Sequence, residues 1–276
     1  MARIGKMLIT EIAPDTYAVN ECGMAAMYVL KGTERALVID AGMGMIDLKG
    51  LIESMTSLPY DVVLTHGHTD HTGAAPQFKQ VYLHKADWEL IKNVDYGRAE
   101  AFAETVGRAG SYDVFDYKPS DIVRYGRTPE LVELKEGMIF PLGDRNVEIF
   151  ETPGHTKGSC VLLDERNKIL FSGDACNENL LLMGTGLDVL SESLLKIKKL
   201  ENKFERNYSG HLGFAGHIVT ASQPEQVVND ALHICQGVKN GTMEMQEETD
   251  RQKQEKSRYV RYGTVKISFM QNQDNK

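Results

Sequence analysis

Thr65-His66-Gly67-His68-Thr69-Asp70-His71 places three imidazoles and a carboxylate within six residues, directly after the apolar run Asp61 to Leu64. Packing offers no reason for such crowding. Borderline cations such as zinc favour neutral imidazole nitrogen and carboxylate oxygen, and a tight turn at the end of a strand can point these side chains to one centre. The chain has only eight histidines, so their density here points to a metal site rather than to core histidines.

Upstream, short apolar runs punctuated by turn residues predict strands at Thr16 to Val19, Ala25 to Leu30, Ala36 to Ile39 and Asp61 to Thr65. Between the last two, Ile46, Leu48, Leu51, Ile52 and Met55 recur at helical spacing and predict a helix from Met45 to Ser57, with Pro59 beyond its end. Downstream, a short helix is expected from Ala74 to Lys79, a strand from Val81 to Leu83 and a helix from Lys85 to Lys92. The segment from Asn93 to Leu131 lacks a sustained period and reads as an insertion. Its aromatics (Tyr96, Phe102, Tyr112, Phe115, Tyr117, Tyr125) are expected to pin it onto the core, the other reading being a substrate entrance. Strands resume at Asn146 to Glu151, Cys160 to Asp164 and Lys168 to Ser172. Helices are then expected from Ser191 to Phe204 and from Glu225 to Val238. The polar stretch Glu244 to Ser257 reads as an exposed helix or a linker, and Tyr259 to Phe269 alternates like an edge strand.

With 276 residues, 42% hydrophobic and 25% charged, one α/β domain spanning 1–276 is expected, with an insertion at about 93–131 and a C-terminal extension from about 241. The formal charge of -8 disfavours a nucleic-acid partner, which needs clustered Lys and Arg. The first residues, MARIGKMLIT, lack the apolar run of a secretory signal. No later stretch approaches the roughly 20 apolar residues of a membrane span, so a cytoplasmic enzyme without a membrane partner is expected. Cys22, Cys160, Cys176 and Cys235 lie far apart with no CxxC pair and read as reduced thiols.

The segment HGHTDH resembles the HxHxDH signature of the metallo-β-lactamase superfamily, which includes glyoxalase II-like thioesterases, lactonases and phosphodiesterases. Other matches follow in order. Asp40 in VIDAG resembles the family's Asp-(Ala/Thr)-Gly turn, His155 in TPGHTKGS its next ligand and Asp174 in FSGDA its bridging carboxylate. The resemblance covers roughly residues 8 to 240 and is weakest from Asn93 to Leu131 and after Gly241. It implies a four-layer αββα sandwich of two mixed β-sheets. It also implies that His66, His68 and His155 bind a first metal while Asp70, His71 and a C-terminal histidine bind a second, Asp174 bridging the two. For that last ligand YSGHLGFAGHIVT offers His211 and His217. His211, following a short strand in a Gly-His context, is the choice. Asp40 is expected to orient a ligand histidine through its other ring N–H. Cys176, His84 and His233 are read as structural.

Two divalent cations, with Zn2+ expected and Fe or Mn as alternatives, would acidify a bridging water. Asp70 would both hold metal and orient the nucleophile's proton. The leading expectation is therefore hydrolysis of a small ester, thioester, lactone or related small-molecule substrate by a metal-bridging hydroxide. A true β-lactamase is disfavoured, because many zinc-dependent forms use a cysteine where this chain has Asp174. The family's nucleases usually carry a further domain that holds nucleic acid, and the diiron oxygen-reducing members normally place Glu at the position of His68. Two alternatives stay open: a persulfide dioxygenase-like oxidoreductase with one iron held by three ligands, and a noncatalytic metal-binding module.

Overall fold

Strands β1 (Ala2–Ile4), β2 (Met7–Ala13), β3 (Thr16–Glu21), β4 (Ala25–Lys31), β5 (Ala36–Ile39), β6 (Tyr60–Val63), β7 (Gln80–His84) and β8 (Glu130–Leu134) lie in chain order in one eight-stranded sheet. Pairing is antiparallel from β1 to β5 and parallel from β5 to β8. The computed structural model describes residues 2–4, 7–92, 100–101, 104, 122, 127–183, 185–213, 220–249 and 256–270. Most of the expected insertion, including its six aromatics, and His217 fall outside the described residues.

A second sheet runs β14 (Arg206–Ser209), β12 (Ile169–Gly173), β11 (Cys160–Asp164), β10 (Asn146–Glu151), β9 (Ile139–Pro141). The two sheets pack face to face, and side chains alternate along the strands as the pleat requires. In β4 and β5, Tyr28, Leu30, Leu37 and Ile39 point inward onto Val147, Ile149, Leu162 and Phe171. Val29 and Val38 point outward instead, onto helix α1 (Leu48–Met55). Both faces of β4 are thus covered, which explains its unbroken apolar sequence. Each fully buried aliphatic or aromatic side chain contributes about 1.5–3 kcal/mol.

Helix α1 is shorter than its apolar period predicts. Asp47 caps it by accepting from Gly50 N at 3.0 Å, which fixes its first turn, and Gly44 just upstream lies in the left-handed region, with φ at +79°, outside helical geometry. Two short helices, α2 (Thr69–Thr72) and α3 (Trp88–Ile91), flank the same face of the first sheet. On the far face of the second sheet lie α4 (Leu187–Lys199) and α5 (Val227–Lys239), burying Leu190, Leu194, Ile197, Val228 and Ile234 against Val161, Leu163 and Leu170. The order helix, sheet, sheet, helix is the αββα arrangement.

A third sheet is added to it, in the order β13 (Asn179–Leu182), β17 (Val265–Met270), β16 (Lys256–Tyr262), β15 (Gln246–Thr249). The sequence predicts an edge strand at Tyr259 to Phe269 and a helix or linker before it. The structure instead turns this end into a hairpin at Gly263, whose φ of +53° the turn requires. The two-residue turn leaves the alternation of side chains intact, so the sequence reads as one strand. Ile267 and Val260 pack under α5.

Candidate metal centre

The parallel strands β5 and β6 end side by side, and the chain turns at their carboxyl ends, where α/β folds characteristically bind ligands. Asp40 follows β5 in the left-handed region, with φ at +63°. Asp and Asn tolerate that conformation better than other L residues. Its carboxylate accepts from Thr65 N at 2.7 Å, from Thr65 Oγ1 at 2.9 Å and from His71 Nδ1 at 2.9 Å. Three backbone bonds lash α2 to the same loop: Ala41 N to His71 O, Gly73 N to Gly42 O and Ala74 N to Ala41 O, at 2.7, 2.7 and 3.1 Å.

Two groups of side chains result. In the first, His66 Nε2 lies 3.2 Å from His68 Nδ1, which lies 2.8 Å from His155 Nε2. His155 comes from the loop after β10, and its Nδ1 donates to Leu181 O of β13 at 2.6 Å. That bond leaves Nε2 as the lone-pair nitrogen facing the other rings. In the second, His211 Nε2 lies 3.1 Å from Asp174 Oδ2 and 3.8 Å from Asp70 Oδ2, while His71 Nε2 lies 3.7 Å from Asp174 Oδ2 and 3.8 Å from Asp70 Oδ2. His211 Nδ1 is anchored on Met24 O at 2.5 Å. Asp174, after β12, also reaches 3.5 Å from His155 Nε2, so it stands between the groups. Gly210 allows this approach, since a Cβ there would fall 2.3 Å from His71 Cε1.

The electrostatics of the two groups differ. Burial, then the neighbouring imidazoles, depress His66 well below the ordinary histidine range, and burial with His155 brings His68 down to about 4. Both rings therefore present lone pairs at neutral pH. Burial would also depress His71 and His211, but Asp174 and Asp70 outweigh it, raising His71 well above its usual value and His211 to about 9. Burial would raise Asp174, yet His211 and His71 hold it well below the carboxylate range. This second group attracts positive charge.

The donors fit divalent cations. His66, His68 and His155 form one set with ligand atoms within 4.8 Å of one another, and His66, His71 and Asp174, and Asp70, His71 and His211, form two others. His71 Nε2 and Asp174 Oδ1 are buried without a hydrogen-bond partner, a costly arrangement that a cation would relieve. Mixed imidazole and carboxylate donors suit zinc or iron.

All seven residues that the sequence picks out as ligands (His66, His68, Asp70, His71, His155, Asp174, His211) converge here. His84 accepts from Ala86 N at 3.3 Å and His233 stacks on Tyr262 with ring centroids 3.9 Å apart, both outside these groups. The four cysteines are free and buried. Burial pushes the Cys176 thiol up to about 12, away from the thiolate that binds metal. Not every residue that shapes the site is included in the sequence reading. Glu21, 1% exposed, accepts from Met43 N at 2.5 Å and Met45 N at 3.0 Å and so shapes the loop below His71. Its signal was a carboxylate, beside Asn20, in a largely apolar stretch.

The chain belongs to the metallo-β-lactamase superfamily, whose sequence profile matches residues 20–204. It is 32% identical over 174 residues to the human acyl-coenzyme A thioesterase MBLAC2, an alignment covering 57% of this chain and 60% of that protein. It is 31% identical over 215 residues to an uncharacterized protein of Mycobacterium tuberculosis, covering 71% and 87%. A solved metallo-β-lactamase from Pontibacter korlensis superposes with a TM-score of 0.56 at 16% identity, covering 83% of this chain and 99% of that one. That likeness concerns the fold alone. Among the described residues no helix is long and apolar enough to cross a membrane.

Proposed function

We propose that this chain is a metal-dependent hydrolase of small thioesters or esters, with an acyl thioester as the substrate class tried first. The observation that carries the proposal is Asp174, whose Oδ2 stands 3.5 Å from His155 Nε2 in one group and 3.1 Å from His211 Nε2 in the other. A carboxylate so placed suits two cations held side by side. The thioesterase name of the human relative favours thioesters over the lactones and phosphodiesters the fold also supports.

In this reading His66, His68 and His155 hold one cation, and Asp70, His71 and His211 hold the other. When bound, the cations supply an acidified water and a Lewis acid for the acyl carbonyl. The chain's own residues do the rest. Asp40 keeps the proton of His71 on Nδ1, so that Nε2 faces the centre. Leu181 O does the same for His155, and Met24 O for His211. Asp70, at the open side of α2, is 18% exposed in its side chain and orients the proton of the attacking water.

The test is elemental analysis of purified protein joined to a turnover screen of acyl-coenzyme A thioesters, lactones and phosphodiesters. Two cations per chain and thioester turnover are expected, and Asp174→Ala should lower metal content and turnover together. A fully metallated, active Asp174→Ala variant would refute the assignment. A single iron with oxygen uptake on a persulfide would favour the oxidoreductase reading, for which three ligands suffice.

A further inference from the structure

We infer that Asp87 is a positioning residue that clamps together the two loops presenting His66, His68 and His155, and thereby sets the geometry of the first metal group; this rests on the reading of those residues as ligands. Asp87 lies between the 3-10 turn Lys85–Asp87 and α3, where an acidic side chain ordinarily caps the helix. It makes no capping bond. The side chain turns away from its own helix and is 1% exposed.

Its two oxygens are fully engaged. Oδ2 accepts from Gly67 N at 2.9 Å and from Thr156 Oγ1 at 2.6 Å, and Oδ1 accepts from Gly158 N at 2.9 Å. Gly67 separates His66 from His68, and Thr156 follows His155 directly, so one carboxylate grips both ligand loops at once. Ser159 extends the grip, its Oγ lying 2.8 Å from Thr156 Oγ1 and accepting from Thr156 N at 3.0 Å. The contact is close enough to explain two glycines. A Cβ at Gly67 would sit 2.9 Å from Asp87 Cβ, and one at Gly158 would sit 2.7 Å from Asp87 Cγ.

The first group is made of imidazoles alone, with no carboxylate of its own to tie the loops together. Its rings meet one another only through ring-nitrogen contacts, His66 Nε2 to His68 Nδ1 at 3.2 Å and His68 Nδ1 to His155 Nε2 at 2.8 Å, and the second of these is the one that spans the two loops. A clamp outside the group supplies the carboxylate tie. The second group needs none of this kind, since its carboxylates and imidazoles attract each other.

Asp87→Asn keeps the side chain's volume but sets an amide NH2 against the backbone N–H of Gly67 or Gly158, whichever way it turns, because each oxygen now accepts from one of them. The experiment titrates Zn2+ into apo protein against a competing chelator, with metal content read by elemental analysis. Wild type is expected to take two cations, and Asp87→Asn to hold one of them at least about tenfold more weakly, the range found for groups that orient metal ligands. Thr156→Val, which removes one of the three donors, is expected to move the same affinity less far.

Two further variants separate positioning from general stability. Asp164→Asn breaks the buried pair between Arg145 and Asp164, 2.5 Å long, at the far end of β11; it should lower the melting temperature and leave both affinities alone. Asp87→Asn should weaken binding less in a His155→Ala background than in wild type, because one of the two loops that the clamp grips then carries no ligand; an undiminished effect there would also count against the clamp. Wild-type affinities in Asp87→Asn, or an equal loss in Asp164→Asn, would overturn the inference. Wild-type protein taking fewer than two cations would strike the dinuclear reading instead, and the effect of Asp87→Asn would still be read on the cation that remains.

Discussion

Replacing Asp40 by Asn should separate folding from metal binding. The carboxylate accepts three hydrogen bonds, from Thr65 N on Oδ1 and from Thr65 Oγ1 and His71 Nδ1 on Oδ2. An asparagine can satisfy its surroundings in one orientation, with its oxygen on Thr65 N and its NH2 on His71 Nδ1. His71 must then carry its proton on Nε2, the atom that faces Asp70 and Asp174 at 3.8 and 3.7 Å. Apo protein accepts that exchange only by making His71 neutral, against the pull of Asp174 and Asp70 that outweighs burial and raises its pKa, so it should lose about 1–3 kcal/mol, less than Asp40→Ala. A cation at Nε2 forces the amide to flip back, which sets NH2 against Thr65 N–H and leaves a buried donor unpaired at a cost of about 1–3 kcal/mol. Affinity for that cation should therefore fall on the order of 10–100-fold. Asp40→Ala, by contrast, removes the acceptor of both Thr65 N and His71 Nδ1, while Thr65 Oγ1 still reaches His66 Nδ1 at 3.1 Å, and it should destabilise apo protein by several kcal/mol, in the range of about 3–6. Thermal melts of the apo proteins and Zn2+ titrations against a chelator measure both quantities. Asp40→Asn with two cations at wild-type affinity, or with an apo stability as low as that of Asp40→Ala, would refute the tautomer argument.

Glu21 supplies a pH dependence. Burial raises its carboxyl from 4.5 to about 7, against the lowering effect of Met43 N and Met45 N. The folded state therefore keeps this proton longer than the unfolded chain does. The resulting penalty is absent below about 4.5, grows as pH rises and is complete above about 7, amounting to about 3 kcal/mol. His66 and His68, held low, contribute the opposite slope in chelator-treated protein, so the Glu21 contribution is read as a difference: the urea midpoint of wild type should fall relative to that of Glu21→Gln over that window, and a constant difference would exclude Glu21 as its source. Ile267→Ala tests the C-terminal hairpin. Ile267 is 0% exposed and pairs beside Leu180, so the truncation should cost about 2–5 kcal/mol. It should also reduce metal retention, because β13 carries the Leu181 carbonyl that holds His155. Retention unchanged despite the lost stability would uncouple the hairpin from the site.

Local sequence was enough for the dense part of the site. Histidines two and three residues apart behind a strand need only one turn to meet, so residues 66–71 are legible without knowing the fold. His155, Asp174 and His211 were legible for a different reason: each sits in a short Gly-containing context at the end of a strand, in an order resembling a family pattern. Strand periodicity likewise marked β4, β5 and β11, where both faces are covered and apolar residues run unbroken.

What only the tertiary structure decided are the contacts between segments far apart in the chain. Glu21 meets Met43 and Met45, Asp87 meets Gly67, Thr156 and Gly158, and Leu181 meets His155. A lone carboxylate or a backbone carbonyl carries no pattern of its own, and its role exists only once packing sets its partners within hydrogen-bond reach. The hairpin at Gly263 was hidden for a related reason, since a two-residue turn preserves the alternation that a single strand would show. Sequence therefore named the atoms able to hold a cation, because donor chemistry is a property of each side chain. Folding chose their tautomers and spacing, because those depend on which distant backbone groups the sheets bring alongside.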